Sequence, residues 1–421
     1  MRRKGLAGLL AFACILLAGC GGLLNQEYRS VVPHLEQAAA AGEQADWYAS
    51  NATELKNALL QAVYQHSAEV KIKFANYTGN IKNDLSQAAV EIPREDPVGA
   101  YTVDFMSPDY NLLAGEVTVS VYYRPDRAEG ILQVSNLAGA RDELEKALVK
   151  FQTKLVLDIS YYESGADLAA LLREAYFQTP ARAVGLPSLS VALYPDSGLG
   201  FHRIAEMTLT YPDVPVAMRA RVTAADAALR ALYAQLPDEL EPPYRALALY
   251  DLLCAAVSYD EEGARALQEG RAADAPDDLY RALAEGRALS AGYALAYKQL
   301  CDTAGLECRL VLGERLGNSK YVWNLVQLDG DWYHVDPAAD AAGGNAHDWF
   351  LKTDEAMQTV ANWNRTATPR CDSERYSYGL LTETDPTGVP LESVPAAAKP
   401  PADEETPTPP DDPDAGEDGA D

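Results

Sequence analysis

Residues 286–297 read GRALSAGYALAY, and the reading of this stretch decides the fold of what surrounds it. Gly286 and Arg287 make a turn. From Ser290 onward apolar residues recur at helical spacing, with Ala294, Tyr297, Leu300 and Cys301 on one face. A hydroxyl therefore stands where a helix begins, a position at which serine is favoured as a cap. Beyond it, Gly305 marks the helix end and CRLVL reads as a buried strand. YVWNLVQL and DWYHV alternate in polarity on either side of Asp329-Gly330, which predicts a hairpin with a two-residue turn. Upstream, Leu247, Tyr250, Leu253, Cys254 and Val257 form another helical stripe, ending at Tyr259-Asp260.

Further towards the N-terminus two segments resemble each other. Aligning Gly79 with Gly165 gives an offset of 86 residues, and Pro108-Asp109 with Pro195-Asp196 gives 87. A fixed offset over a whole module argues for an internal repeat. Each copy carries a helical pattern (Leu55, Ala58, Leu59, Val63; Leu144, Leu148, Phe151), then an alternating strand (Val70, Ile72, Phe74; Leu155, Leu157, Ile159). A second helix and two more strands follow. The expectation is an α-β-α-β-β unit, twice, with its helices on one face of the sheet. Neither copy holds a catalytic constellation. Tyr122, Tyr123, Tyr161 and Tyr162 are candidates for a binding surface, although half-exposed strand aromatics are ordinary in sheets.

The ends of the chain speak to location. Arg2, Arg3 and Lys4 precede an apolar run from Leu6 to Leu17, too short to span a bilayer and suited to a signal peptide. It closes on Leu17-Ala18-Gly19-Cys20, which resembles a bacterial lipobox, so Cys20 is expected to carry lipid and hold the protein on the outer face of a membrane. The net charge of −27 argues against nucleic acid as a partner. Cys254, Cys301, Cys308 and Cys371 lack the close pairing of metal ligands, and either apolar burial or one to two disulfides would suit them. No metal site or cofactor motif is visible. The proline-rich, acidic C-terminus cannot bury an apolar face and is expected to be disordered.

From about Tyr244 to Tyr378 the order and spacing of motifs resemble the transglutaminase-like superfamily, in a bacterial exported branch with a papain-like core. They are the YD after the first helix, GRALSAGYA, GLEC, WNLVQLDGDWYHVD and WFLKTDEAM. The resemblance implies a triad: a cysteine opening the central helix, a histidine just before the WN strand, and an aspartate ending the WYHVD strand. A thiol at a helix N-terminus is pushed towards thiolate by the helix dipole and a neighbouring imidazolium. Carried over, those positions are Ser290, Tyr321 and Asp336, so only the aspartate matches. A serine hydroxyl needs an adjacent base, and a phenol with a pKa of about 10 is a poor one.

The expectation is therefore a domain without acyl-transfer activity, in which Ser290 caps its helix and a retained cleft binds. Tyr293, Trp323, Trp332 and His334 are the residues expected near that cleft. The alternative is a working hydrolase or transamidase acting on extracellular protein or cell-wall peptide, with His334 reaching Ser290, or with Cys254 or Cys301 as a displaced nucleophile. The fold class expected is α+β: two duplicated α-β-α-β-β modules followed by a transglutaminase-like (papain-like) α+β domain. The boundaries expected are a signal peptide at 1–20, a tether or helix at 21–48, and modules at 49–137 and 138–216. The transglutaminase-like domain then runs over 217–382 and the tail over 383–421. The partners expected are the membrane, through Cys20, and an extracellular protein or cell-wall component.

Overall fold

The computed structural model describes residues 47–383 apart from 112, 128, 197–199, 270, 272–276 and 345. Cys20, the signal peptide and the C-terminal tail lie outside the described residues. The chain divides into two compact units, one up to Val90 together with Phe105–Tyr122, the other Glu91–Asp104 with everything from Tyr123 on. The whole is a mixed α+β structure. Among the described residues no helix is long and apolar enough to cross a membrane.

In the first unit β1 (Trp47–Asn51) leads into α1 (Ala52–Tyr64). Asn51 accepts from the Glu54 N–H at 3.0 Å, and the Glu54 carboxylate accepts in turn from the Ser50 N–H at 2.8 Å, a reciprocal cap that starts the helix. Leu55, Ala58, Leu59, Ala62 and Val63 are buried, as the periodicity predicts. β2 (Glu69–Thr78), α2 (Ile81–Glu95), β3 (Val103–Asn111) and β4 (Glu116–Tyr123) follow, with the short α3 (Pro97–Thr102), between α2 and β3 in the chain, belonging to the second unit. The sheet order is β1-β2-β4-β3, with β1 parallel to β2 and β2 antiparallel to β4.

The next stretch comprises β5 (Ile131–Val134), α4 (Leu137–Lys150), β6 (Lys154–Ile159), α5 (Leu168–Gln178), β7 (Ser188–Tyr194) and β8 (Arg203–Thr210). Its sheet has the order β5-β6-β8-β7, with β5 parallel to β6, β6 antiparallel to β8 and β8 antiparallel to β7. The expected five-element unit is thus corrected to β-α-β-α-β-β in this stretch and to β-α-β-α-α-β-β in the one before it. The leading strands escaped notice because each is only four or five residues long. Their positions also move boundaries: β1 begins inside the segment assigned to the tether, and β5 pairs with the second sheet although it falls within 49–137. A further correction concerns coverage of the second sheet. β6 is buried on both faces, Leu155, Leu157 and Ile159 under the helices and Val156 and Asp158 on the other side. There α3 packs on β7 and β8, with Tyr101 edge-on to Tyr194 at 5.2 Å. A tight turn makes this possible, since a Cβ on Gly99 would lie 2.4 Å from the Ile92 carbonyl oxygen.

The remainder builds around one helix. After α6 (Pro215–Tyr233) and α7 (Pro242–Ala256) come β9 (Ser258–Tyr259), α8 (Glu261–Gln268), α9 (Leu279–Glu285), β10 (Arg287–Ala288) and the central α10 (Ser290–Thr303). β11 (Cys308–Arg315), β12 (Asn318–Leu328) and β13 (Asp331–Val335) form an antiparallel sheet that β14 (Ala361–Trp363) completes in the order β13-β12-β11-β14. The β12–β13 hairpin turns at Asp329 (φ 50°) and Gly330 (φ 93°), both left-handed as a two-residue turn of this kind requires. β12 sends Val322, Asn324 and Val326 towards α10, and Asn324 donates to the Ala294 carbonyl at 2.9 Å. Tyr321, Trp323 and Leu325 face the other way, into a smaller core with Trp363. α11 (Pro337–Gly343), α12 (Asp354–Gln358) and α13 (Tyr378–Glu383) finish the unit.

Candidate functional site

Ser290 does not cap α10. Leu289 occupies the cap position and makes no side-chain cap hydrogen bond. The carboxylate of Asp277 caps the helix instead, accepting from the N–H groups of Leu289 (2.8 Å), Ala291 (2.7 Å) and Gly292 (2.8 Å). Gly292 permits this approach, because a Cβ there would stand 2.8 Å from Asp277 Oδ1 and 2.7 Å from the Ala288 methyl. Burial pushes the Asp277 carboxyl up to about 6 while the three N–H groups pull it back down. Ser290, 5 % exposed, is left with one long contact in which its Oγ accepts from the Val322 N–H at 3.4 Å.

The consequence is electrostatic. The positive end of a helix dipole lowers the pKa of a nucleophile placed there. Here a carboxylate already occupies the N–H groups on either side of Ser290, and its charge opposes the formation of an alkoxide.

Tyr321 sits one residue along β12 from that contact and donates its hydroxyl to Asp336 Oδ1 at 3.2 Å. Burial pushes its phenol well above the ordinary range, and the neighbouring Asp336 adds to the shift. Asp336 is buried at the start of α11, where Oδ1 also accepts from the Ala339 N–H at 3.1 Å. Its Oδ2 lies 3.4 Å from Arg315 Nε, and the Arg315 guanidinium lies 4.0 Å from the centre of the Trp349 ring. Burial pushes Asp336 up to about 6 against the pull of Arg315. Tyr321 and Asp336 are therefore bonded to each other, as phenol and ion-paired carboxylate with no nitrogen base between them, while Ser290 reaches β12 at the neighbouring Val322 N–H.

His334 is committed elsewhere. Its Nδ1 accepts from Trp323 Nε1 at 2.9 Å, and its Nε2 lies 2.9 Å from Asp354 Oδ1. The ring packs edge-on to Trp363 at 4.9 Å, on the face of the sheet opposite α10. Burial pulls the imidazole below its ordinary range despite Asp354. The expected cleft is corrected accordingly. Tyr293 and Trp323 are fully buried and His334 is 1 % exposed. Tyr293 donates to the Val257 carbonyl, while Trp332 lies under the guanidinium of Arg309 at 4.7 Å. Tyr293, Trp323 and His334 are thus interior, and Trp332 is partly buried against the smaller core. A cavity of about 310 Å³ is lined by residues from 351–380, including Lys352, Glu374 and Tyr376, and by none of the triad-equivalent residues.

The cysteines offer no substitute nucleophile. All four carry free thiols, and burial pushes those of Cys254, Cys301 and Cys371 upward, away from thiolate. Cys371, His334 and Asp354 place ligand atoms within 4.8 Å of one another, a spacing that could hold a metal ion. The proton positions oppose it. An indole N–H can only donate, so Nδ1 of His334 holds its lone pair and Nε2 carries the proton towards Asp354. A metal-bound imidazole needs the reverse, a free pair on the metal side and a proton on the other. Arg365 takes the second Asp354 oxygen at 3.3 Å.

Asp277, Arg315, Asp354 and Trp349 were not legible in advance. One signal existed: Asp277 and Asp278 are adjacent, and a single aspartate suffices to cap α9, which Asp278 does through the Arg281 N–H at 2.9 Å. The second was free for another helix.

Residues 230–337 match the transglutaminase-like superfamily. This chain contains a transglutaminase-like superfamily domain. Solved structures similar to the chain include a TGase at 13% identity, with 49% of this chain and 56% of that chain covered and a TM-score of 0.26. This chain thus covers less than two thirds of that TGase. A candidate cysteine protease from Cytophaga hutchinsonii is 12% identical, with 44% and 71% covered and a TM-score of 0.22. A candidate protease from Parabacteroides distasonis is 8% identical, with 53% and 50% covered and a TM-score of 0.20. No curated protein matches the chain. In the transglutaminase-like domain, α10 supplies the helix on which the superfamily resemblance places a cysteine, and Ser290 stands there.

Proposed function

We propose that the transglutaminase-like domain does not perform acyl transfer and that the protein serves in binding or scaffolding at the cell envelope. In this reading it is exported, and Cys20 carries lipid that holds it to the outer face of the bacterial membrane. An extracellular protein or a cell-wall component is the partner. The observation that carries the loss of catalysis is the Asp277 carboxylate on the N–H groups flanking Ser290. It places negative charge where a nucleophile needs positive, and the position that the resemblance gives to the base holds a phenol whose proton is tightly kept. A serine without a base beside it is not activated.

The test has two arms. Purified protein is incubated with an amine donor and a glutamine-bearing protein, and separately with serine-directed and thiol-directed covalent probes. No incorporation and no label at Ser290 are expected; turnover that Ser290→Ala abolishes would overturn the reading. For the anchor, cells fed a labelled fatty acid should incorporate it into the chain and lose that label in Cys20→Ser; an unlabelled wild-type chain would sink it.

A further inference from the structure

β12 has a stretch of edge that β13 does not reach. β13 pairs with β12 only from Asn324 to Leu328. Val322 lies opposite Leu312 of β11, yet its N–H is turned to the other edge, where it donates to Ser290 Oγ at 3.4 Å. Backbone groups return to the same edge of a strand every second residue, so the Lys320 carbonyl lies on that edge too, about 7 Å away. Arg173 of α5 takes it, Nη2 donating to the Lys320 carbonyl at 2.5 Å. A helix of the second sheet thus reaches the same strip of strand as Ser290, and α5 and α10 belong to one compact unit.

Arg173 is the outermost of several ties. Its guanidinium lies 5.5 Å from the centre of the Phe177 ring. Phe177 and Tyr176 are buried in the core that also holds Ala288 and Ala291, on either side of Ser290 in the chain. The chain then turns at Pro180–Arg182, against α9 and α10. The Ala183 carbonyl accepts from the Leu279 N–H at 2.8 Å, two residues from Asp277. The Gly185 N–H donates back to the Tyr176 hydroxyl at 3.2 Å. Gly185 has φ 150°, and a Cβ there would stand 2.8 Å from the Met218 methyl, so only glycine lets the turn close down.

We infer that residues 173–185 form an occluding strap, which closes the Ser290 end of α10 to macromolecules. A protein or cell-wall partner is then met on another surface of the chain. Opening the strap breaks the bonds at Lys320 and Leu279 and exposes two aromatic side chains, which keeps the open population small. Ser290 is accordingly 5 % exposed. The partner is taken from the binding role proposed above, whereas the closure holds whether or not Ser290 reacts.

The test reads access to position 290 in the full chain carrying Ser290→Cys. Two thiol reagents are used, iodoacetamide and a maleimide borne on polyethylene glycol, and labelling at that position is mapped by mass spectrometry. Dividing the polymer rate by the iodoacetamide rate cancels the ionisation of the thiol, so the influence of Asp277 drops out. The ratio in the folded chain should be at least about tenfold below that in urea, and Arg173→Ala should raise it about tenfold, the factor expected for one hydrogen bond from a charged group. Gly185→Ala, which wedges the turn, should raise it as well. Arg309→Ala, which removes the cation over Trp332, should leave it unchanged. Circular dichroism establishes that each variant is folded; if Gly185→Ala is not, Arg173→Ala carries the test. Equal ratios in the folded and unfolded chains, or a ratio unchanged in folded Arg173→Ala, overturn the inference. Neither rate measures turnover, so an active Ser290 would show in the acyl-transfer assay and not here.

Discussion

The two faces of the β11–β12–β13 sheet treat their polar residues in opposite ways. On the far face His334 is satisfied at both nitrogens, by Trp323 and Asp354, inside a core of Trp363, Met357 and Cys371. On the α10 side Ser290 makes one contact at 3.4 Å, while Asp277 takes the helix N–H groups around it. The residue types associated with chemistry, an imidazole and a hydroxyl, are both present, yet a covered sheet separates them. A buried polar group is costly unless paired, so each has been drawn to the partners on its own side.

That contrast can be broken or sharpened by mutation. The largest effect is expected on the far face. Trp323→Ala removes a fully buried ring and the donor to His334, and should cost about 3–5 kcal/mol in urea unfolding. Next comes Arg315→Met, which leaves Asp336 without its buried cation. A loss of about 3 kcal/mol is expected at pH 7, shrinking towards pH 5 as Asp336 takes up a proton.

Asp277→Asn should have a smaller effect, of about 1 kcal/mol, in keeping with a helix cap. Its pH dependence is the sharper readout. Asp277 has a folded pKa of about 6, above its ordinary value, so the folded state holds the proton more tightly. The stability it contributes is full below about pH 4 and falls as pH rises through 6. His334 is shifted downward, so its contribution, read against His334→Gln, should instead grow as pH rises to about 6.5. Urea midpoints measured between pH 4 and 7 should therefore slope in opposite directions for the two sites; parallel slopes would refute the comparison.

The smallest effect is expected at the nominal nucleophile. Ser290→Ala should change stability by no more than about 0.5 kcal/mol, since one long contact is lost. Ser290→Cys should yield a thiol that alkylates with an apparent pKa at or above about 8.5, and adding Asp277→Asn should lower it. A Ser290→Cys thiolate already formed at pH 6 would show that Asp277 does not oppose ionisation.

Much of the fold was legible because local pattern carried it. The stripes of α1, α4, α7 and α10 and the turn at Asp329-Gly330 are where periodicity and turn chemistry put them. The short leading strands β1 and β5 were not, since four or five residues bear too little pattern to stand apart from a loop. At the site, the convergence of Tyr321 and Asp336 followed from the superfamily spacing, whereas the role given to Ser290 did not hold. Sequence distance hides such a cap: Asp277 is separated from Ala291 by fourteen residues and the whole of α9.

By itself, then, the amino-acid order determined the helices, the hairpin and the identities Ser290, Tyr321 and Asp336, because these depend on neighbours within a few residues. Only the tertiary structure decided which carboxylate caps α10, which face holds His334, and that Arg315 pairs with Asp336. Those outcomes rest on hydrogen bonds between distant segments, made when burial strips water from polar groups and forces each to take the nearest partner that packing allows.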